Sequence, residues 1–185
     1  TFLGIDLPTW WYLVIGATVS LYAVLHGFDL GAGLLHPFFR KESSRRIALN
    51  AVGPVWDGNE VWLVITGGAL FAGFPEAYAT AFSAFYTPFF LLLAALIGRA
   101  ISIEFRSKEP MAWWRTFWDW SYFLSSLVIS ILLGVALGNL MIGMPIDANG
   151  VYEGAGLLEM LKPLPIAVGL SVAALYAVHG SLYLL

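Results

Sequence analysis

The sequence predicts an all-α integral membrane protein, arranged as an antiparallel transmembrane four-helix bundle followed by the start of a second bundle. Of its 185 residues, 59% are hydrophobic and only 11% are charged, whereas an ordinary soluble domain has about 25% charged residues. Runs without formal charge also recur at the length of about 20 residues that a helix needs to cross a bilayer. A water-soluble globular domain is therefore excluded.

Four charge-free runs and one interrupted run predict five helices. The charge-free runs, with histidine taken as neutral, are residues 7–28, 77–98, 120–146 and 163–185. The interrupted run lies between Ile47 and Phe74, where Asp57 and Glu60 leave an uncharged remainder that is too short to span alone. We therefore predict helices near residues 8–35, 47–73, 76–103, 113–140 and 163–185.

The same runs predict how the chain is divided. Residues 1–140 form the first four-helix bundle, residues 141–162 form a glycine-containing extracytoplasmic linker, and residues 163–185 form a fifth transmembrane helix that opens a second bundle. The chain begins at Thr1 and ends at Leu185 inside an apolar run. We therefore expect a C-terminal remainder to follow.

The distribution of basic residues predicts the orientation in the bilayer. The first and third loops must lie on the same side, because two helices separate them, and they carry most of the positive charge. Cytoplasmic loops of membrane proteins are enriched in lysine and arginine, so this side is predicted to be cytoplasmic and the N-terminus extracytoplasmic. The basic residues of these two loops are Arg40, Lys41, Arg45, Arg46, Arg106, Lys108 and Arg115.

Composition also limits the partners. A net charge of −3 gives no basic field for nucleic acid. The absence of cysteine excludes thiolate metal sites and disulfides, and three scattered histidines predict no metal site formed by this chain alone.

The informative residues are the ionisable groups inside the predicted spans, because each costs roughly 2.5–3.5 kcal/mol to insert at the bilayer centre. His26 and Asp29 are three residues apart, as are Asp57 and Glu60, so each pair projects from one helix face. Counting about 1.5 Å per residue places Asp57 and Glu60 near mid-membrane, so the four groups can form one layer or column.

Two desolvated carboxylates on adjacent turns can hold a proton near neutral pH, so we expect this layer to relay protons. The structural alternative is that the acids only bind across helices to His26, Asn59 or Arg99.

Arg99, about one turn from the end of the third predicted helix, has three interpretations. Its guanidinium extends to the bilayer interface, or pairs with Glu104 or an acid on a neighbouring helix, or binds a carboxylate of a cofactor.

Pairs of glycines at Gly27 and Gly31, and at Gly134 and Gly138, predict close helix packing.

Several motifs resemble one family. They are His-Gly-Phe-Asp-Leu-Gly-Ala-Gly from His26, Gly-Pro-Val-Trp-Asp-Gly-Asn-Glu-Val-Trp from Gly53, Gly-Gly-Ala-Leu-Phe-Ala from Gly67 and Glu-Phe-Arg-Ser-Lys from Glu104. Together they resemble roughly the first half of subunit II of the cytochrome bd-type quinol oxidases, a family of prokaryotic cytoplasmic membranes.

The resemblance implies a function for the complex. Subunit II would pack against a haem-bearing subunit I that carries haems b and d, with quinol as the reductant and oxygen as the acceptor. This chain would bind no cofactor alone and would shape a proton path from the cytoplasm.

The resemblance also implies roles for single residues. Asp57 falls on the membrane-buried aspartate of the family and is the first candidate for the proton path, with Glu60 and Asp29 beside it. His26 stands where the family frequently has an acid, but an imidazole also passes protons. Arg99 would neutralise a haem propionate across the subunit interface.

Two hypotheses from other classes explain the same residues. Intramembrane acids and glycine-interrupted helices are also typical of ion-coupled transporters. Alternatively, the chain is a structural membrane anchor whose acids are salt-bridged and inert.

Overall fold

The computed structural model describes residues 4–148, 150–154 and 156–185, and this part of the chain is almost entirely helical. A 3₁₀ turn at His36–Phe38 follows the first helix, and a single antiparallel bridge joins Ile146 to Tyr152. The helices are α1 (Leu7–Leu35), α2 (Glu42–Val52), α3 (Trp56–Gly73), α4 (Pro75–Ala84), α5 (Tyr86–Phe105), α6 (Ala112–Ile142), α7 (Leu157–Met160) and α8 (Pro163–Tyr183).

Within the described ranges, four helices are long and apolar enough to cross a membrane, namely α1, α5, α6 and α8. They pack together: α1 contacts α3, α6 and α8, and α6 also contacts α5 and α8. Leu30, Leu92, Leu96 and Ile129 form one buried core between α1, α5 and α6. The predicted all-α membrane class is therefore confirmed.

The helix predicted over residues 47–73 is wrong as a single span, because the structure breaks it into α2 and α3. Pro54 lies in the break and has no backbone N–H, so it cannot donate the hydrogen bond to the Asn50 carbonyl oxygen that a continuous helix would make. As a result, α3 begins at Trp56, and Asp57 lies in its first turn.

The break also changes the predicted depth of the acids. Asn59 of α3 donates a hydrogen bond to Asp29 of α1, and Asp29 lies six residues, or about 9 Å, before the end of α1. Asp57 and Glu60 are therefore near the basic end of the helices rather than at mid-membrane.

The helix predicted over residues 76–103 is likewise divided, into α4 and α5. Pro88 cannot donate the bond that a continuous helix would make to Ala84, but it is tolerated in the first turn of a new helix. The chain therefore turns at Phe85, and α5 begins at Tyr86.

Glycines let α8 approach α1 and α6 closely, as the paired glycines predicted. Gly31 of α1 meets Gly180 of α8, and a Cβ added to Gly31 would overlap the carbonyl oxygen of Tyr176. About three turns earlier in α8, a Cβ on Gly134 of α6 would lie 2.5 Å from Gly169 Cα. The proposed division of the chain into domains stays a prediction, while α8 itself packs on helices of the first bundle.

Candidate functional site: a buried polar cluster

A group of ionisable and amide side chains meets inside the bundle near the basic end of α1, and we call it the inner cluster. It consists of His26 and Asp29 from α1, Asn59 and Glu60 from α3, and Arg99 from α5. Asp29 and Arg99 are completely buried, His26 is 1% exposed, and the Glu60 side chain is 22% exposed. The structure thus brings together three of the four predicted proton-path residues.

The contacts within the inner cluster are long. Asn59 Nδ2 donates to Asp29 Oδ2 at 2.9 Å, but the ion pairs lie beyond hydrogen-bond distance. Arg99 Nη2 is 4.0 Å from Asp29 Oδ2, and Arg99 Nη1 is 3.8 Å from Glu60 Oε2. His26 Nδ1 is 3.9 Å from Asp29 Oδ2. These charges therefore attract one another without being locked in place.

Many polar atoms of the inner cluster have no hydrogen-bond partner among the described residues. They include both ring nitrogens of His26, one oxygen each of Asp29 and Glu60, and all three guanidinium nitrogens of Arg99. Buried polar groups in proteins are nearly always hydrogen-bonded, and water is the usual partner when side chains and backbone do not supply one. The geometry therefore suits a hydrated site.

The charge of the inner cluster is also unbalanced. Within the described ranges, Asp29 and Glu60 both pair with the guanidinium of Arg99, so two carboxylates share one cation. A surplus negative charge is costly in a buried environment, and taking up a proton removes it.

Asp57 lies apart from this group. It is exposed on the outer surface of this chain, one helical turn before Glu60. The predicted layer or column of four residues is therefore replaced by a buried group of His26, Asp29 and Glu60 with Asp57 exposed beside it.

Arg99 does not extend to the bilayer interface, so that interpretation is wrong. Its side chain is completely buried, between Asp29 and Glu60, and its guanidinium carbon lies 5.9 Å from the centre of the Tyr122 ring. Of the alternatives that the sequence left open, pairing with acids on neighbouring helices is the one that the structure shows.

A second polar group, which we call the outer network, lies closer to the basic end. It is centred on Asp119 of α6, which is held by His36, Arg45 and Arg106. His36 Nε2 is 2.5 Å from Asp119 Oδ1, Arg45 Nη1 donates to Oδ2 at 2.9 Å, and Arg106 donates to both oxygens. Arg106 also makes a bidentate pair with Glu42 of α2, at 2.9 and 3.0 Å.

The outer network fixes the loops that carry the basic residues. The hydrogen bonds from Arg106 hold the pKa of Glu42 below its ordinary value of 4.5, although partial burial opposes the shift. Sequence reasoning missed this network, although an aspartate between two tryptophans in an apolar helix, at Trp118 and Trp120, was the available signal.

No group of three or more His, Asp or Glu that could hold a metal ion occurs among the residues that the structure describes.

The imidazole of His179 links α8 to α1, because its Nε2 atom lies 2.9 Å from the backbone carbonyl oxygen of Val24.

The fold and these two groups define a multi-pass α-helical membrane protein that keeps ionisable side chains in its interior. Comparison with known proteins identifies its family. The family model for cytochrome bd terminal oxidase subunit II matches residues 7–185. The chain therefore belongs to the cytochrome bd terminal oxidase subunit II family, as the motifs indicated.

Individual relatives agree. The chain is 39% identical over 178 residues to subunit 2 of the cytochrome bd-I ubiquinol oxidase of Escherichia coli K12, covering 94% of this chain and 47% of the relative. It is 38% identical over 175 residues to the cytochrome bd ubiquinol oxidase subunit 2 of Bacillus subtilis, and this match covers 94% of this chain and 52% of the relative. A probable cytochrome oxidase subunit 2 of Haemophilus influenzae is 40% identical over 180 residues, which covers 95% of this chain and 47% of the relative. The chain thus spans about half the length of these relatives.

Proposed function

We propose that this chain is part of subunit II of a membrane quinol:oxygen oxidoreductase. In this proposal it packs against a subunit I that carries haems b and d, and it contributes a proton path from the cytoplasm. The family membership and the names of the relatives, which describe ubiquinol oxidase subunits, support the assignment.

The proton path follows from the chemistry of oxygen reduction. Electrons delivered to oxygen must be balanced by protons, and a hydrocarbon layer conducts protons only along titratable groups and water. The inner cluster supplies such groups, and its partnerless buried atoms are the observation that carries the proposal. A chain of tightly bonded ion pairs would instead leave no site for a mobile proton.

The path would enter from the face of α3. The outer network closes the end of the bundle between α1, α5 and α6 with direct hydrogen bonds, whereas Glu60 is partly exposed and Asp57 lies one turn away at the surface. We therefore order the route from Asp57 to Glu60, then to Asp29 beside Arg99, and on to His26.

The direction from the cytoplasm rests on the positive-inside rule. The ion pairs of Glu42, at the start of α2, with Arg106 and with Arg115 of α6 support a common end for the two basic regions. Loops this rich in lysine and arginine are cytoplasmic in most membrane proteins.

The role of Arg99 toward a haem propionate stays a prediction. In this chain its side chain is enclosed by Asp29 and Glu60, so we propose that it mainly offsets the charge of these two carboxylates.

A visible spectrum of the complex purified through this subunit tests the class of protein. We expect haem bands to copurify with the chain. A complex that lacks haem and binds an ion or solute would instead support the transporter hypothesis.

The Asp57→Asn substitution tests the proton path. Asparagine keeps the size of the side chain but cannot titrate, so we expect oxygen consumption per haem to fall by at least about tenfold. Haem content should be unchanged, because the Asp57 side chain is exposed on this chain.

Glu76→Gln is the matched control, because Glu76 is an exposed acid at the opposite end of the bundle, in the first turn of α4. Normal turnover of an assembled Asp57→Asn complex would refute the relay and favour the structural-anchor hypothesis.

A further inference from the structure

Two buried side chains extend the inner cluster deeper along α1. Tyr22 lies one turn before His26, and the two rings stack with their centroids 5.0 Å apart and their planes 15° from parallel. Tyr22 is 5% exposed and His26 is 1% exposed. Both rings are therefore covered by this chain itself.

Neither ring makes a hydrogen bond to the described part of the chain. The Tyr22 hydroxyl and both ring nitrogens of His26 are buried without a hydrogen-bond partner among the described residues. A parallel stack cannot satisfy them, because it places the ring faces rather than the polar edges in contact. Since the rings are covered within this chain, a neighbouring subunit cannot reach them, and water is the partner small enough to do so.

The Tyr22 hydroxyl belongs to the same electrostatic environment as the inner cluster. It interacts electrostatically with Glu60, Asp29 and Arg99, and with Tyr176 of α8. Its hydroxyl therefore lies in the electrostatic field of these groups. The other buried hydroxyl of α1, that of Thr18, already donates to the backbone oxygen of Ile15.

Tyr22 lies farther from the basic end of α1 than the other α1 residues of the proposed route. It lies 13 residues before the end of α1, or about 20 Å from that end, while Asp29 lies only about 9 Å from it. Because α1 has 29 residues, Tyr22 stands near the middle of the helix.

We infer that the proton path continues beyond His26 through water to the hydroxyl of Tyr22. This inference rests on the proposed function. A hydroxyl donates and accepts at once, so it passes a proton without becoming charged: its oxygen receives a proton along the hydrogen bond from the water on the His26 side while its own proton moves to a water on the other side.

The Tyr22→Phe substitution in the assembled full-length complex tests the inference. Phenylalanine keeps the stacked ring and removes only the hydroxyl. We expect oxygen consumption per haem to fall about fivefold, as the loss of one hydrogen bond in the rate-limiting transfer implies, and to fall further in D₂O than the wild-type rate does. Tyr12→Phe is the matched control, because Tyr12 is on the same helix and 72% exposed.

His26→Gln separates this inference from the proposed function. If both Asp57→Asn and His26→Gln slow turnover but Tyr22→Phe matches the wild type in H₂O and D₂O, the path ends at His26 and the inference is overturned. If Asp57→Asn and His26→Gln also leave turnover unchanged, the proposed proton path itself fails. A slower Tyr22→Phe complex with normal haem content and thermal stability supports the inference.

Discussion

The inner cluster and the outer network are both built from acids and arginines, yet their geometry is opposite. In the outer network, Asp119 is bound directly by His36, Arg45 and Arg106. In the inner cluster the closest ion pair is 3.8 Å, and most of the polar atoms have no partner among the described residues. Tight pairing fixes a structure, whereas loose pairing with surplus negative charge leaves room for a proton. In our proposal this difference separates a structural role for the outer network from a proton-transfer role for the inner cluster.

Removing the centre of the outer network should have the largest effect on stability. Asp119→Asn takes the charge from a carboxylate that pairs with Arg106, whose side chain is 2% exposed. Breaking a buried ion pair by removing one partner costs about 3–5 kcal/mol. We expect the thermal midpoint of the purified complex to fall strongly.

Glu109→Gln is the control for this substitution, because Glu109 is an exposed acid in the loop before α6. An Asp119→Asn complex that is as stable as the wild type would show that the outer network does not hold the bundle together.

We expect a smaller loss of stability from a substitution that disturbs the packing of α1 without removing a charge. Gly31→Ala places a Cβ against the backbone of Tyr176 and Gly180, which cannot move aside as a flexible side chain can. Overpacking of this kind costs about 1–3 kcal/mol.

Gly16→Ala on the same helix meets nothing within 4 Å and should be neutral or slightly stabilising. Equal thermal midpoints for the two alanine variants would contradict the backbone contact between α1 and α8.

We expect the smallest loss of stability at Glu42, on the exposed edge of the outer network. Glu42 has a pKa below its ordinary value of 4.5 because Arg106 donates hydrogen bonds to it. Its contribution is present above about pH 4.5 and is lost as the pH falls through the lower folded value. Since the Glu42 side chain is 50% exposed, we expect less than about 1 kcal/mol from it at neutral pH.

The thermal midpoints of the wild type and the Glu42→Gln variant should therefore converge on acidification below pH 4.5. A difference between the two thermal midpoints that grows as the pH falls would contradict a stabilising role for the Glu42 carboxylate.

The sequence identified most of this arrangement, and its errors have physical causes. The i, i+3 spacing of charged residues in apolar runs located His26, Asp29 and Glu60, because only a strong reason keeps such groups in a bilayer. The predicted depth of Asp57 in the membrane was too great, because it was counted along one continuous helix and Pro54 breaks that helix.

Contacts between distant parts of the chain were the other omission. Asp119 binds His36 across 83 positions of the chain. No local pattern reveals such a pair, because it depends on how the helices are arranged. For the same reason the sequence left the pairing of Arg99 open, and it offered the hydrogen bond between Asn59 and Asp29 only as the structural alternative.

The central claim is that the inner cluster moves protons rather than holding the fold, and the Glu60→Gln variant tests it most directly. Glu60 is the second carboxylate facing Arg99, so its neutral replacement leaves Asp29 and Arg99 as a balanced pair. The measurement is oxygen consumption per haem, taken with the thermal midpoint of the same assembled complex. The account predicts a fall in turnover of about tenfold or more with a midpoint at or above the wild-type value. Normal turnover, or a loss of stability as large as that of Asp119→Asn, would contradict it.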